Sequence, residues 1–323
     1  MGKWGGTLFA GCLRWRSAEL RALRLGTRSS RLARVQTREA EQVLAAVGAQ
    51  TKTVVCRTLG DQQADVPLDA IAGPGVFARA IEEALIDEDI DVAVHSAKDI
   101  GIDPLEGTAL VAYLPRGDVR DALVSNNGSA LAMLPQGARI GTSSRRRAAQ
   151  IRALRPDFET ANIRGNIDTR IEKVQRGDYD ATLLAVAGLA RLGRLDVVAD
   201  YLAIDQMLPA PAQGAIVLQA RRGDDETVAL LRSLNHRQTA VAVRAERAVL
   251  SGLGAGCALP VAALGHVRGQ EVALVGSVWD ERTGHSITVQ RTGSVEDPEA
   301  VGSAVAEALR ERGAEALLSE SVS

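Results

Sequence analysis

Apolar residues recur along this chain at two spacings, and the switches between them mark out its elements. Leu23–Gly26 is a short strand-like run. Ser30–Val47 repeats its apolar positions at helical spacing and stops at Gly48, where a helix would end. Thr51–Thr58 (TKTVVCRT) alternates as a strand into Leu59-Gly60-Asp61, and Asp65–Gly75 is a Pro/Gly loop. Val76–Ile86 is helical again, with its acids on the other face. Ile90–Val94 reads as a buried strand, parallel to the first if an ordinary crossover joins them. Leu110–Leu114 is a further strand, and Pro115-Arg116-Gly117-Asp118 a polar turn suited to a hinge.

A second set of elements runs from about Arg120 to Leu208. Ala122–Ser125 is a strand, a loop follows, and a helix ends near Leu154. Phe158–Ile163 is extended, Ile167–Gln175 helical, Ala181–Val186 a strand and Gly188–Leu192 a short helix. Pro209–Gly214 is a stiff crossover, and Ala215–Ala220 an apolar strand suited to return into the first sheet. A third unit begins near His236, with a helix at Ala240–Leu250 and a glycine loop at Gly252–Cys257. Strands at Val261–Val267, Val272–Trp279 and Ser286–Arg291 follow, then a closing helix at Pro298–Arg312.

The first two sets echo each other. Arg24–Gln36 (RLGTRSSRLARVQ) is repeated by Ala138–Gln150 (ARIGTSSRRRAAQ) with one residue of offset. In each copy a strand meets Gly-Thr and then Ser-Ser, with Arg28 inserted between them in the first, before an Arg-rich helix. Ser at such a helix start caps it, and the N-terminus offers unpaired N–H groups to an anion. Asp89–Val94 and Asp178–Leu183 form a second echo, each an acid turn followed by a buried strand. Two related α/β units are therefore expected, as lobes facing each other across a cleft.

Composition narrows the functions open to this fold. The 323 residues are 46% hydrophobic and 24% charged with net charge −2, and no apolar run is long enough to span a bilayer. That balance gives no global attraction to nucleic acid or anionic lipid. Lysine occurs only at Lys3, Lys52, Lys98 and Lys173; every other cation is arginine. The 3 cysteines form no disulfide framework or metal-ligand spacing, which fits a reducing cytoplasm. Phe9-Ala10-Gly11-Cys12 resembles a lipoprotein cleavage site, but its apolar run is far too short, and residues 1–22 read as a disordered extension.

Four features bear on chemistry. Arg28, Arg31, Arg146, Arg147, Arg164, Arg170 and Arg191 stand at loop ends. Guanidinium forks hold carboxylates by two bonds, so together they imply a ligand rich in carboxylates, although any one could be a surface arginine. Asp99, after Lys98, ends a strand where α/β sheets place ligands; a capping or ion-paired Asp would look the same. Gln213 lies in the tight Ala212-Gln213-Gly214 turn, usually a structural position. Cys257 lies in a glycine loop that leaves a thiol accessible for covalent chemistry, with no His beside it for a protease-type pair. A non-catalytic two-lobed anion binder would use the same cleft but gives Cys257 no role. An RNA binder would use the Arg-rich helix, against which stand the net charge and 3% aromatic content.

The motifs RLGTRSSRLA, HSAKD, LPRGDVRDALVS, IGTSSRRRAAQ, IRGNIDTRI, YDATLLAVAGLARLG, LPAPAQGA, AERAVL and AGCALPV occur in that order. In them the chain, from about Ala22 to its C-terminus, resembles the hydroxymethylbilane synthase (porphobilinogen deaminase) family. The resemblance implies an α/β fold: two periplasmic-binding-protein-like lobes around a cleft plus a small C-terminal α+β domain. Lobe 1 would comprise 23–116 with 215–232, lobe 2 117–210, and the cofactor-attachment domain 236–323. It implies a dipyrromethane cofactor joined to Cys257 by a thioether, and four porphobilinogen molecules condensed head to tail with loss of ammonia into hydroxymethylbilane. Carried over by position, Asp99 is the catalytic carboxylate. Lys98, Ser144, Arg146, Arg147, Arg164 and Gln213 contact the cofactor, and Arg28, Ser30, Arg170 and Arg191 the substrate. It further implies a cytoplasmic monomer with neither nucleic acid nor membrane as partner. The chain departs from the family pattern at Ala97, Arg145 and Ala212, and Ala72-Gly73-Pro74-Gly75 lacks the lysines many members carry there.

Overall fold

Two sheets of the same design carry the front of the molecule in the computed structural model, which describes residues 22–56, 76–254 and 259–319. The first is built from β1 (Leu23–Thr27), β2 (Thr51–Val55), β3 (Val92–Ser96) and β4 (Thr108–Tyr113), joined by a strand from later in the chain. The second comprises β5 (Asp121–Ser125), β6 (Arg139–Gly141), β7 (Glu159–Ala161), β8 (Ala181–Ala185) and β9 (Asp200–Tyr201). With β10 at Ile216–Arg221, the orders are β2-β1-β3-β10-β4 and β7-β6-β8-β5-β9. In each sheet three parallel strands meet an antiparallel one, β10 in the first and β5 in the second. Those antiparallel strands each enter straight after a crossover from the other lobe, so the sequence echo is an echo of topology.

The helices follow from the capping chemistry of the repeat. Ser30 caps α1 (Arg31–Ala46), its Oγ accepting from the Ala33 N–H at 3.2 Å. α2 is Val76–Ile86. Ser144 caps α3 (Arg145–Leu154) through the Arg147 N–H at 3.4 Å, and Asn166 caps α4 (Ile167–Gln175). The glycine before each Ser cap is needed for close packing: a Cβ on Gly26 would lie 2.2 Å from the Ile90 side chain. The glutamine closing each motif is also structural. Gln36 exchanges hydrogen bonds with the Ser96 hydroxyl at 2.8 and 3.0 Å, and Gln150 bonds both the C=O and the N–H of Leu208.

Some element limits differ from the sequence pattern. β3 extends to Ser96 because its backbone keeps pairing with β10, and α5 (Val186–Arg191) starts directly at the end of β8 rather than at Gly188. The extended run at Phe158–Ile163 contracts to three-residue β7. A helix, α6 (Asp225–Ser233), was not expected; it is capped by Asp224 and buries Val228 and Leu231 under the first sheet. Thr58, the Asp65–Gly75 loop and the N-terminal extension lie outside the described residues.

The third unit packs α7 (Arg237–Gly252) and α8 (Pro298–Glu311) on an antiparallel sheet of β11 (Val261–Arg268), β12 (Glu271–Trp279) and β13 (Ser286–Ser294). α9 (Ala314–Ser319) closes it, and Val249, Leu274, Val305 and Leu309 fill its core. It docks on both lobes. Arg247 donates to the carbonyls of Gly101 and Ile102 at 2.7 and 2.8 Å, just beyond Asp99. Arg152 on α3 donates to the Glu281 carbonyl, and Arg145 stands 3.6 Å from the Glu281 carboxylate, which gives that departure from the family pattern a partner. Among the described residues no helix is long and apolar enough to cross a membrane.

Candidate active site

Strand ends from both lobes and the crossovers between them frame a cleft of about 680 Å³. From lobe 1 come Arg28 and Ser30 after β1, and Lys98 and Asp99 in a 3-10 turn after β3. From lobe 2 come Arg147 on α3, Arg164 before α4, Arg170 within it and Arg191 on α5. Asp99 is exposed in this cleft. These eight expected residues are thus brought together. Three others do not line the cavity: Ser144, which caps α3, and Arg146 and Gln213, which are buried behind it. Cys257 lies outside the described residues.

The arginines differ in how far their charge is already answered. Arg170 is half-buried, with its Nε on the Gly165 carbonyl at 2.9 Å. Among the described residues it has no carboxylate partner, and burial, with Arg147 and Arg164 beside it, lowers its pKa to about 10. A desolvated guanidinium crowded by its own kind is a strong anion receptor. Arg191 is different: its Nε donates to Glu39 of α1 at 3.0 Å, across the lobes. Arg31 likewise reaches Asp168 of α4 at 3.4 Å.

Behind the cleft, Asp121 opens β5 with its side chain fully buried. It pairs with Arg146 at 2.7 Å and Arg147 at 2.6 Å, and accepts from Gln213 Nε2 at 3.0 Å. Burial alone would raise its pKa; the two guanidinium groups overcome that and hold it well below the usual carboxylate range. Gln213 also accepts from Lys98 Nζ at 3.3 Å. Burial first, then Arg147, lowers Lys98 to about 8, with Asp99 and Asp121 opposing.

Asp121, Gln36, Ser96, Glu39 and Asp168 were not singled out from sequence. The motif's terminal glutamine carried a signal for Gln36, and an acid heading an apolar strand run carried one for Asp121. Nothing local marks Glu39 or Asp168, because their partners lie in the other lobe.

Comparison with known proteins meets this geometry. Residues 23–229 match the family model "Porphobilinogen deaminase, dipyromethane cofactor binding domain", and residues 240–311 match the porphobilinogen deaminase C-terminal domain. The chain belongs to the porphobilinogen deaminase family. It is 46% identical over 299 residues to the porphobilinogen deaminase of Syntrophotalea carbinolica, covering 92% of this chain and 95% of that one. It is 45% identical to that of Roseiflexus castenholzii, covering 92% and 98%. Among solved structures it is similar to the methionine binding protein MetQ, with TM-score 0.42 and 10% identity over 66% of this chain and 89% of that one. It is also similar to a periplasmic substrate-binding protein of an ABC transporter from Coxiella burnetii, with TM-score 0.40 and 14% identity over 66% and 91%.

The site of a porphobilinogen deaminase must hold a dipyrromethane, whose every pyrrole carries an acetate and a propionate. The residues present fit that group. Arg170 has a guanidinium without a carboxylate partner among the described residues, and Arg28, Arg147 and Arg164 flank the same cavity.

Proposed function

We propose that this chain condenses four porphobilinogen molecules head to tail, with release of ammonia, to give hydroxymethylbilane. The observation that carries this reading is Arg170, whose part-buried guanidinium has no carboxylate partner among the described residues and lines one cavity with Arg147 and Asp99. A substrate bringing an acetate and a propionate on each ring supplies the missing charge. Cys257 is the attachment point of the cofactor, supported by the glycine-rich sequence around it and by the AGCALPV resemblance. When bound, dipyrromethane supplies the pyrrole that accepts the first substrate unit.

The protein's own residues bind and stabilise. Arg28, Ser30, Arg170 and Arg191 take substrate carboxylates, while Lys98, Arg147 and Arg164 take those of the cofactor. Ser144 and Arg146 serve by holding α3, and Gln213 by holding Lys98. Asp99 places a fixed negative charge where porphobilinogen becomes cationic as ammonia leaves, and such stabilisation is strongest where water is excluded. The family resemblance supports action as a monomer, and 3 cysteines without a disulfide framework support a cytoplasmic setting.

Intact mass tests the reading. The purified protein is expected to exceed its sequence mass by one dipyrromethane, and Cys257→Ala to lose both the excess and the activity. An unmodified protein that makes hydroxymethylbilane at full rate would overturn the attachment.

A further inference from the structure

Arginine at a carboxylate-binding site must be both aimed and left with its charge unspent, and α3 solves the two problems with a residue that never reaches the cleft. The Arg147 guanidinium is held on three sides. Its Nε and Nη2 donate to Asp121 Oδ1 at 3.2 and 2.6 Å, and its Nη1 to the Leu183 carbonyl at 2.9 Å. That fixes the plane of the fork and leaves two of its five N–H groups outside these bonds, in a residue that lines the cavity. A lone Asp121 would also cancel the Arg147 charge. Arg146 prevents this: its Nη2 donates to the other oxygen of Asp121 at 2.7 Å and its Nη1 to the Leu208 carbonyl at 2.7 Å. Two cations thus share one buried carboxylate, and the surplus charge faces the cleft through Arg147.

We infer that Asp121 is a positioning residue that aims Arg147 at the carboxylates of the bound pyrroles, and that Arg146 acts as its charge-balancing partner rather than as a ligand contact. This rests on the cleft being a porphobilinogen site. It departs from the expectation that Arg146 itself touches the cofactor: its side chain is 4% exposed and outside the cavity lining. Gln213 extends the device across the lobes, bridging Asp121 Oδ1 and Lys98. Asp121 thereby sets the position of a cation on each side of the cleft.

A double-mutant cycle separates aiming from mere support. On protein shown by intact mass to carry its cofactor, Asp121→Asn is expected to raise KM for porphobilinogen about tenfold or more, the loss of one charge-assisted hydrogen bond. The fraction loaded with cofactor as purified should fall with it. In an Arg147→Gln background the same change should add less than about twofold, since the guanidinium it aims is gone and only the indirect link through Gln213 to Lys98 remains. A full additive penalty in that background overturns the inference. If Asp121→Asn does not fold, Arg146 decides. Arg146→Gln removes the balancing charge and should raise KM and lower loading, whereas Arg146→Lys keeps the charge and should restore both. Wild-type KM and loading in Arg146→Gln would overturn the role. A wild-type protein that makes no hydroxymethylbilane would sink the proposed function instead, so the two failures are distinct.

Discussion

Asp99 and Lys98 are neighbours in one 3-10 turn lining the cleft, and the proposed function gives them different work there. Asp99→Asn keeps the size and hydrogen-bonding capacity of the side chain and removes its charge. Turnover on cofactor-loaded protein should fall about 10²–10³-fold, as for loss of one transition-state-stabilising group, with the melting temperature unchanged. Asp99→Glu should retain more activity than Asn. Near-normal turnover in the Asn variant would show that the charge is not the main catalytic contribution. Lys98 sets a pH dependence. With its pKa lowered to about 8, it carries its charge at neutral pH and loses it as pH rises through 8, so the affinity for porphobilinogen should drop between about pH 7 and 9. A Lys98→Gln variant should bind more weakly and show no such step. The sign for stability is opposite: the unfolded lysine titrates near 10.5, so the folded state bears the cost of a desolvated cation below pH 8 and sheds it between 8 and 10.5. The place of these two residues in the cleft was legible because a strand-terminal Lys-Asp pair lies where α/β sheets bind ligands. Asp121 was not, because a buried acid at the head of a strand announces neither its two arginines nor their distance in sequence.

At the scale of elements, the caps and periodicities fixed most of what the chain does locally. Ile167–Gln175 is helical over the whole range its pattern marks, between the Asn166 cap and Gly177. The sequence pattern does not mark α6, because its short apolar face follows β10 after only a brief turn, so the switch from strand to helical spacing is short. The crossovers are where local pattern says least and packing says most. The Gly117 N–H donates to the Gly214 carbonyl at 3.1 Å, and Arg116 pairs with the fully buried Glu246 of α7 at 2.6 Å. Glu246 also accepts from the Ala212 N–H at 2.6 Å, holding that residue at φ 64 in the left-handed region that favours glycine. Gly214, at φ 87, has no room for a side chain: a Cβ would stand 2.8 Å from the Gly117 carbonyl oxygen. Gly214→Ala should therefore destabilise by about 1–3 kcal/mol, read as a lower melting temperature, because it forces the two crossovers apart. Ala212→Gly should have little net effect. The relief of about 1 kcal/mol of left-handed strain is offset by the added freedom of the unfolded chain. A Gly214→Ala protein as stable as wild type would mean that the crossovers are not pressed together in solution.

For the whole molecule, the repeated motif made two lobes and a cleft legible, but not how the lobes hold each other. That depends on pairs formed between residues far apart in sequence, such as Glu39 with Arg191 and Arg31 with Asp168. Both pairs join α1 of the first lobe to a helix of the second, and three of these four residues line the cleft. Glu39 thus occupies an arginine that the substrate is proposed to need. A pyrrole carboxylate reaching Arg191 must displace it, which makes the bridge between lobes and the binding of ligand competitors for one guanidinium. Arg191 is 10% exposed and Glu39 37%, so the pair is worth what a part-exposed bridge is worth, about 0.5–1 kcal/mol. Glu39→Gln should then lower KM for porphobilinogen about two- to fivefold. It should also loosen the lobes, seen as a larger radius of gyration by solution scattering of the ligand-free protein. Added salt should mimic the loosening in wild type and change the variant less, because it screens a bridge the variant lacks. A raised KM in Glu39→Gln would show the reverse coupling, with the bridge helping to form the site rather than competing for its arginine.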